Sequence, residues 1–175
     1  MAMWFKELWQ LIMMVFGSKP SDQEEVVLMQ MRHFPFSGFG FMMWCGKMIY
    51  REEYADAVEK SKGTTSFQYS LTHETIHLRQ AQAKGSWVGY YWKYFCEWVK
   101  GNPVIYPAIS AYYTIPFEME AYGNERDVAY PDNYTGDYLP CYDIADRKKT
   151  YKANKDDWRA YCRSIEKTEQ STLGL

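Results

Sequence analysis

Residues 66–84 read SFQYSLTHETIHLRQAQAK. No Gly or Pro interrupts the stretch, Leu71, Leu78 and Ala81 supply apolar spacing, and Gly85 follows as a stop, so the segment is expected to be one helix. Within it stands His73-Glu74-Thr75-Ile76-His77, an HExxH pattern. Positions i and i+4 share a helical face one turn apart, so both imidazoles can turn a nitrogen towards one ion. Glu74, one residue on from His73, is rotated by about 100° around the axis, which sets its carboxylate beside a metal-bound water without making it a ligand. The pattern nominates His73 and His77 as metal ligands and Glu74 as the general base. Chance yields an HExxH match in roughly one chain in a few hundred of this size, so the surrounding sequence must supply a third ligand.

A catalytic metal takes three protein ligands and keeps one position open. The remaining histidine, His33, precedes Pro35 and lies on no predicted helix facing the motif, which makes it a poor third. Better placed is Ile115-Pro116-Phe117-Glu118-Met119-Glu120-Ala121-Tyr122, where Pro116 fits the first position of a helix expected to run to about Tyr130 and to stop at Pro131-Asp132-Asn133. Glu118 shares a face with Tyr122 and Glu125, and Glu120 shares one with Asn124 and Asp127. Periodicity leaves both glutamates open.

These residues resemble the zincin metallopeptidases, specifically the gluzincin branch, in which HExxH lies on one helix and a glutamate on a later helix completes the site. The resemblance covers roughly residues 39–130. In many such families the third ligand stands in Glu-x-x-Ala, commonly followed by Asp. Glu118-Met119-Glu120-Ala121 matches that pattern, so the resemblance implies Glu118 as the ligand ahead of Glu120. Tyr122 stands where the Asp would, which implies that support for a ligating histidine comes from elsewhere, with Glu120, Glu125 or a backbone carbonyl as candidates. The chain is also similar to small HExxH proteins with a Pro-Phe-Glu-x-Glu-Ala-Tyr signature. The resemblance implies a zincin-like fold, zinc as cofactor, and hydrolysis of a peptide or amide substrate by a zinc-activated water. It further implies that the strand near Phe39 to Ile49 holds an extended peptide.

Working outward, Phe39, Phe41, Met43 and Cys45 alternate within the stretch Phe34 to Tyr50 and suggest one or two strands, while Asp22 to Met31 reads as a short helix or turn. Ser86 is a good N-cap for a helix from Trp87 to Lys100, whose aromatics read more readily as core than as a cleft lining. Gln80, one turn past His77, reads equally as a cleft residue or a solvated polar one. From Asp146 onward charge dominates, so residues 146–175 are expected to form a charged tail with an amphipathic helix over Asp156 to Ile165. The fold class expected is α+β, mostly helical with a small sheet before the HExxH helix, in a single domain over residues 1–175.

Composition narrows the partners. Twenty basic against 22 acidic residues, a net charge of −2, lack the basic surplus of an electrostatic nucleic-acid binder, so no nucleic-acid partner is expected. Four scattered cysteines form no CxxC pair, which removes zinc ribbons and dithiol redox motifs. The apolar run Leu8 to Gly17 is about half of the roughly 20 residues a spanning helix needs. With no cleavage site after it, a cytoplasmic protein is expected. Residues 1–17 nonetheless place Trp4, Leu8, Ile12 and Val15, with Phe5, Trp9 and Phe16 alongside, in one helical stripe. That stripe either packs on its own domain or makes peripheral membrane contact, and the latter suits a rival reading as a non-catalytic, metal-bound binding module.

Overall fold

The alternation after Pro35 resolves into a hairpin, β2 (Met42–Trp44) and β3 (Lys47–Arg51). The computed structural model describes residues 2–35, 40–101, 108–136 and 139–165, so Phe39 lies outside the described residues. Cys45 and Gly46 form the two-residue turn with φ of 48° and 74°, the paired positive values that match the twist of an antiparallel hairpin. Gly46 is needed here twice over, because a Cβ at that position would also stand 2.8 Å from Gln23 Cγ.

The third strand is a correction. Asp22 to Met31 holds only a 3-10 turn at its start, Pro20–Asp22, and then β1 (Val27–Met31), which pairs parallel with β3 so that the sheet order is β1-β3-β2. What fixes Val27–Met31 as a strand is this distant partner: Met29 lies opposite Ile49 and Met31 opposite Arg51. Met48 and Ile49 are fully buried, and burying such a side chain stabilises by about 1.5–3 kcal/mol.

The described residues are mostly helical with this small sheet placed before the HExxH helix, as the α+β expectation holds. Two compact units, Met1–Tyr90 and Tyr91–Leu175, divide the chain. In the first, α1 (Ala2–Gly17) sets Leu11 with Met31, Phe34 and Ile49, while Leu8 and Met14 pack alongside. Polar clamps fix it there: the Glu7 carboxylate accepts from the backbone N–H groups of Arg32 and His33 and meets His33 Nδ1 at 2.9 Å, and Trp44 Nε1 donates to Leu11 O. The other face, Phe5, Trp9, Met13 and Phe16, is exposed. No helix among the described residues is long and apolar enough to cross a membrane. The short α2 (Ala55–Ser61) then leads to α3 (Thr65–Lys84).

The unit boundary falls inside α4 (Trp87–Lys100), where Ser86 Oγ accepts from Gly89 N as its N-cap role predicts. One face of α4 buries Trp87, Tyr90 and Glu97, but Val88, Trp92, Phe95 and Val99 are exposed, so only half of this aromatic helix is core.

The second unit contains α5 (Ala108–Tyr113), α6 (Pro116–Asn124), α7 (Arg147–Asn154) and α8 (Trp158–Ser164). Its α6 stops well short of Tyr130, because the Asn124 amide donates to the Glu120 carbonyl and to Tyr142 Oη, closing the last turn with a side chain. Nor are residues 147–165 a solvated tail, and the rest of the expected tail, residues 166–175, lies outside the described residues. Trp158 and Cys162 of α8 pack with Met119, Tyr122 and Tyr142, and Trp158 Nε1 donates to Tyr113 O. Arg147 reaches buried Glu97, which also pairs with Lys93 and Lys100. Burial alone would raise the Glu97 pKa, but hydrogen bonds from Lys100, Arg147 and Lys93 overcome it and hold the carboxyl down at about 2.

Candidate metal centre

The sequence builds α3 with clean ends. Thr64 Oγ1 accepts from Phe67 N at 3.2 Å, and Gly85 closes the other end with φ 72°. Such an N-cap contributes about 1 kcal/mol, and glycine takes the left-handed turn without a Cβ penalty. The helix is tied to the chain before the sheet, since Gln82 Nε2 donates to Gln23 O and Arg79 to Glu24 O. Phe41, just ahead of β2, meets Phe67 edge to face at 6.2 Å. The middle of α3 is thereby held as rigid, buried helix.

There, His73 and His77 are 7% and 4% exposed, and their Nε2 atoms face each other at 3.2 Å with the rings nearly perpendicular at 81°. Two nitrogens each about 2.0–2.1 Å from a tetrahedral zinc would stand about 3.3–3.4 Å apart, so the observed separation fits a shared ion. The opposite nitrogen of His77 is engaged too. Its Nδ1 lies 2.8 Å from Gln80 Oε1 and 3.2 Å from Tyr90 Oη. An amide oxygen only accepts, so this contact favours the tautomer that carries its proton on Nδ1 and leaves the Nε2 lone pair available. Glu74 is half-buried on the same helix, one residue past His73.

In the second unit, Pro116 opens α6 and puts Glu118 in its first turn, where the positive end of the helix dipole favours an anion. Glu118 is 3% exposed and its Oε1 accepts from Tyr94 Oη at 2.6 Å. Tyr94 in turn stacks on Phe117 at 6.1 Å. Burial, then the Glu118 charge, push the Tyr122 phenol well above its usual range, so Tyr122 stays protonated. Glu120 is fully buried and differently occupied: Tyr130 Oη donates to one oxygen at 2.8 Å and Tyr134 Oη reaches the other at 3.5 Å.

His73, Glu74 and His77 thus share one helix as the spacing requires, Glu118 and Glu120 share α6, and His33 is taken up by Glu7. Gln80, at 1% exposed, is neither solvated nor a cleft residue; it holds a histidine. That contact supports His77. The i+3 spacing marked Gln80 as a neighbour of His77 without showing which way its side chain turns. Tyr94 carried no such signal, being one of 16 tyrosines. No protein-family model matches the chain, and no curated protein or solved structure matches it.

Proposed function

We propose that this protein is a zinc-dependent hydrolase of the metallopeptidase type, with His73, His77 and Glu118 binding zinc and Glu74 acting as general base. The observation that carries the reading is the pair of buried Nε2 atoms at 3.2 Å on an HExxH helix. Support for Glu118 comes from its burial and from its place in the first turn of α6. Glu120 is the weaker candidate because tyrosine hydroxyls already address both of its oxygens.

Bound zinc lowers the pKa of its water towards about 7 and polarises a substrate carbonyl. Glu74 accepts the proton from the attacking water as the new C–O bond forms. When the C–N bond breaks, the same carboxyl delivers that proton to the departing amine, and the proton left on the new carboxylic acid passes to the amine as well, so the products part as a carboxylate and an ammonium. The Tyr94 hydroxyl, donating to Glu118, holds one carboxylate oxygen in a fixed orientation.

The test is elemental analysis for one zinc per chain, followed by a peptide and amide library screen on the loaded protein. A zinc-loaded chain that cleaves nothing in a broad screen counts against hydrolysis. The glutamates separate by substitution: Glu118→Gln is expected to weaken zinc binding far more than Glu120→Gln, whose effect should stay near the 10-fold typical of a residue supporting a ligand. The reverse ranking, measured by chelator competition, would move the ligand to Glu120.

The exposed face of α1 favours a second reading, a non-catalytic metal-bound module resting on a membrane surface through Phe5, Trp9, Met13 and Phe16. Liposome flotation of the full chain against Trp9→Glu with Phe16→Glu tests it. Removing residues 1–17 is the wrong comparison, because Leu11 belongs to the core of the first unit.

A further inference from the structure

We infer that Gln80 is a positioning residue that sets the tautomer and ring orientation of His77, an inference that rests on the reading of His77 as a metal ligand. A neutral imidazole has one ring proton, and whichever nitrogen carries it cannot ligate. Gln80 Oε1, 2.8 Å from His77 Nδ1, is an acceptor and draws the proton to that nitrogen. Tyr90 Oη stands farther off at 3.2 Å, and a single N–H serves its nearer acceptor best, so Gln80 governs and Tyr90 is secondary. Both side chains are almost fully buried, at 1% and 2% exposed, so water does not compete for the contact. The arrangement is local to the sequence: His77 and Gln80 are i and i+3 on one rigid helix, and Tyr90 follows in α4 after the Gly85 turn.

The chemistry of an amide partner has a direction. A carboxylate at the same place would draw the Nδ1 proton harder and make Nε2 a more basic ligand, as outer partners of ligating histidines commonly do. Gln80 orients the ring with neither the added charge nor the cost of burying it. Gln80→Leu, close in size but without an acceptor, should therefore weaken zinc affinity about 10- to 100-fold, whereas Gln80→Glu should bind at least as tightly as the parent. Tyr90→Phe should change affinity by less than about 3-fold, since it removes only the longer contact.

The experiment is chelator competition for zinc on the full chain and these three variants, joined to long-range proton–nitrogen NMR of the histidine rings in metal-free protein at about pH 8.5, where imidazole is neutral. Expected are an Nδ1–H signature for His77 in the parent, its loss in Gln80→Leu, and its retention in Gln80→Glu together with restored affinity. A purely structural role for Gln80 would not give rescue by glutamate. A Gln80→Leu protein that binds zinc as tightly as the parent would overturn the positioning role and leave the metal reading standing. So would a parent whose His77 carries its proton on Nε2. Should Gln80→Leu fail to fold, the parent tautomer and the Gln80→Glu affinity decide the matter. A parent that takes up no zinc sinks the metal reading, and this role falls with it.

Discussion

Replacing His73 and His77 together with alanine is expected to reduce zinc from one per chain to background in elemental analysis. The reason is ligand number. A structural or catalytic zinc held by two imidazoles and one carboxylate loses most of its coordination when both imidazoles go, and the remaining carboxylate binds no better than an exposed one. The single variants should each lose stoichiometric zinc as well, because the surviving ligands are two where three are needed. A thermal readout should follow by mass action: zinc at about 1,000 times its dissociation constant stabilises the folded parent by about 4 kcal/mol, and the double variant should show no zinc-dependent shift. Since both rings are buried, alanine also leaves cavities, so the metal-free parent is the proper reference for stability. Full zinc occupancy in the double variant would remove the assignment of both histidines.

How much of this was readable from the chain depends on how local each cause is. The α3 helix was legible to within a residue, since Gly85 and the uninterrupted run before it act within a turn or two of where they stand, although its N-cap, Thr64, was not read. The HExxH face was legible for the same reason: helical geometry alone brings the two imidazoles together. By contrast, β1 is a strand because of β3, some 20 residues later, and nothing within Val27–Met31 reports that partner. The early end of α6 turns on one amide, Asn124, whose choice of the Glu120 carbonyl depends on packing against Tyr142. The charge run after Asp146 concealed two anchors, Trp158 and Cys162, because average charge hides a narrow buried stripe. Gln80 was visible as a neighbour of His77 but not as its partner, since i+3 spacing fits a solvated residue equally well. Whether Glu118 or Glu120 turns to a metal was beyond periodicity. The tyrosines bear on it: Tyr130 and Tyr134 address both oxygens of Glu120, while Tyr94 donates to Oε1 of Glu118.

Glu74→Gln is expected to lower turnover on the order of 100-fold or more while zinc content and folding stay as in the parent. The substitution keeps the size and shape of the side chain and leaves His73 and His77 untouched, so the ion's ligands are all present. What it removes is a carboxylate able to take a proton. An amide oxygen at the same place can still orient a water by hydrogen bonding, but it is far too weak a base to accept the proton as the carbonyl is attacked, and it has none to return to the amine. The loss should therefore appear in kcat with little change in KM, the pattern of an interaction made in the transition state and absent from the ground state. Glu74 is half-buried, and a replacement of the same size and shape disturbs little packing around it. The measurement is turnover of a peptide found by library screening, at matched zinc content, for parent and variant. Equal turnover would refute Glu74 as the base and shift the search to another carboxylate, whereas lost turnover with lost zinc would place Glu74 among the groups that hold the site together rather than the group that moves the proton.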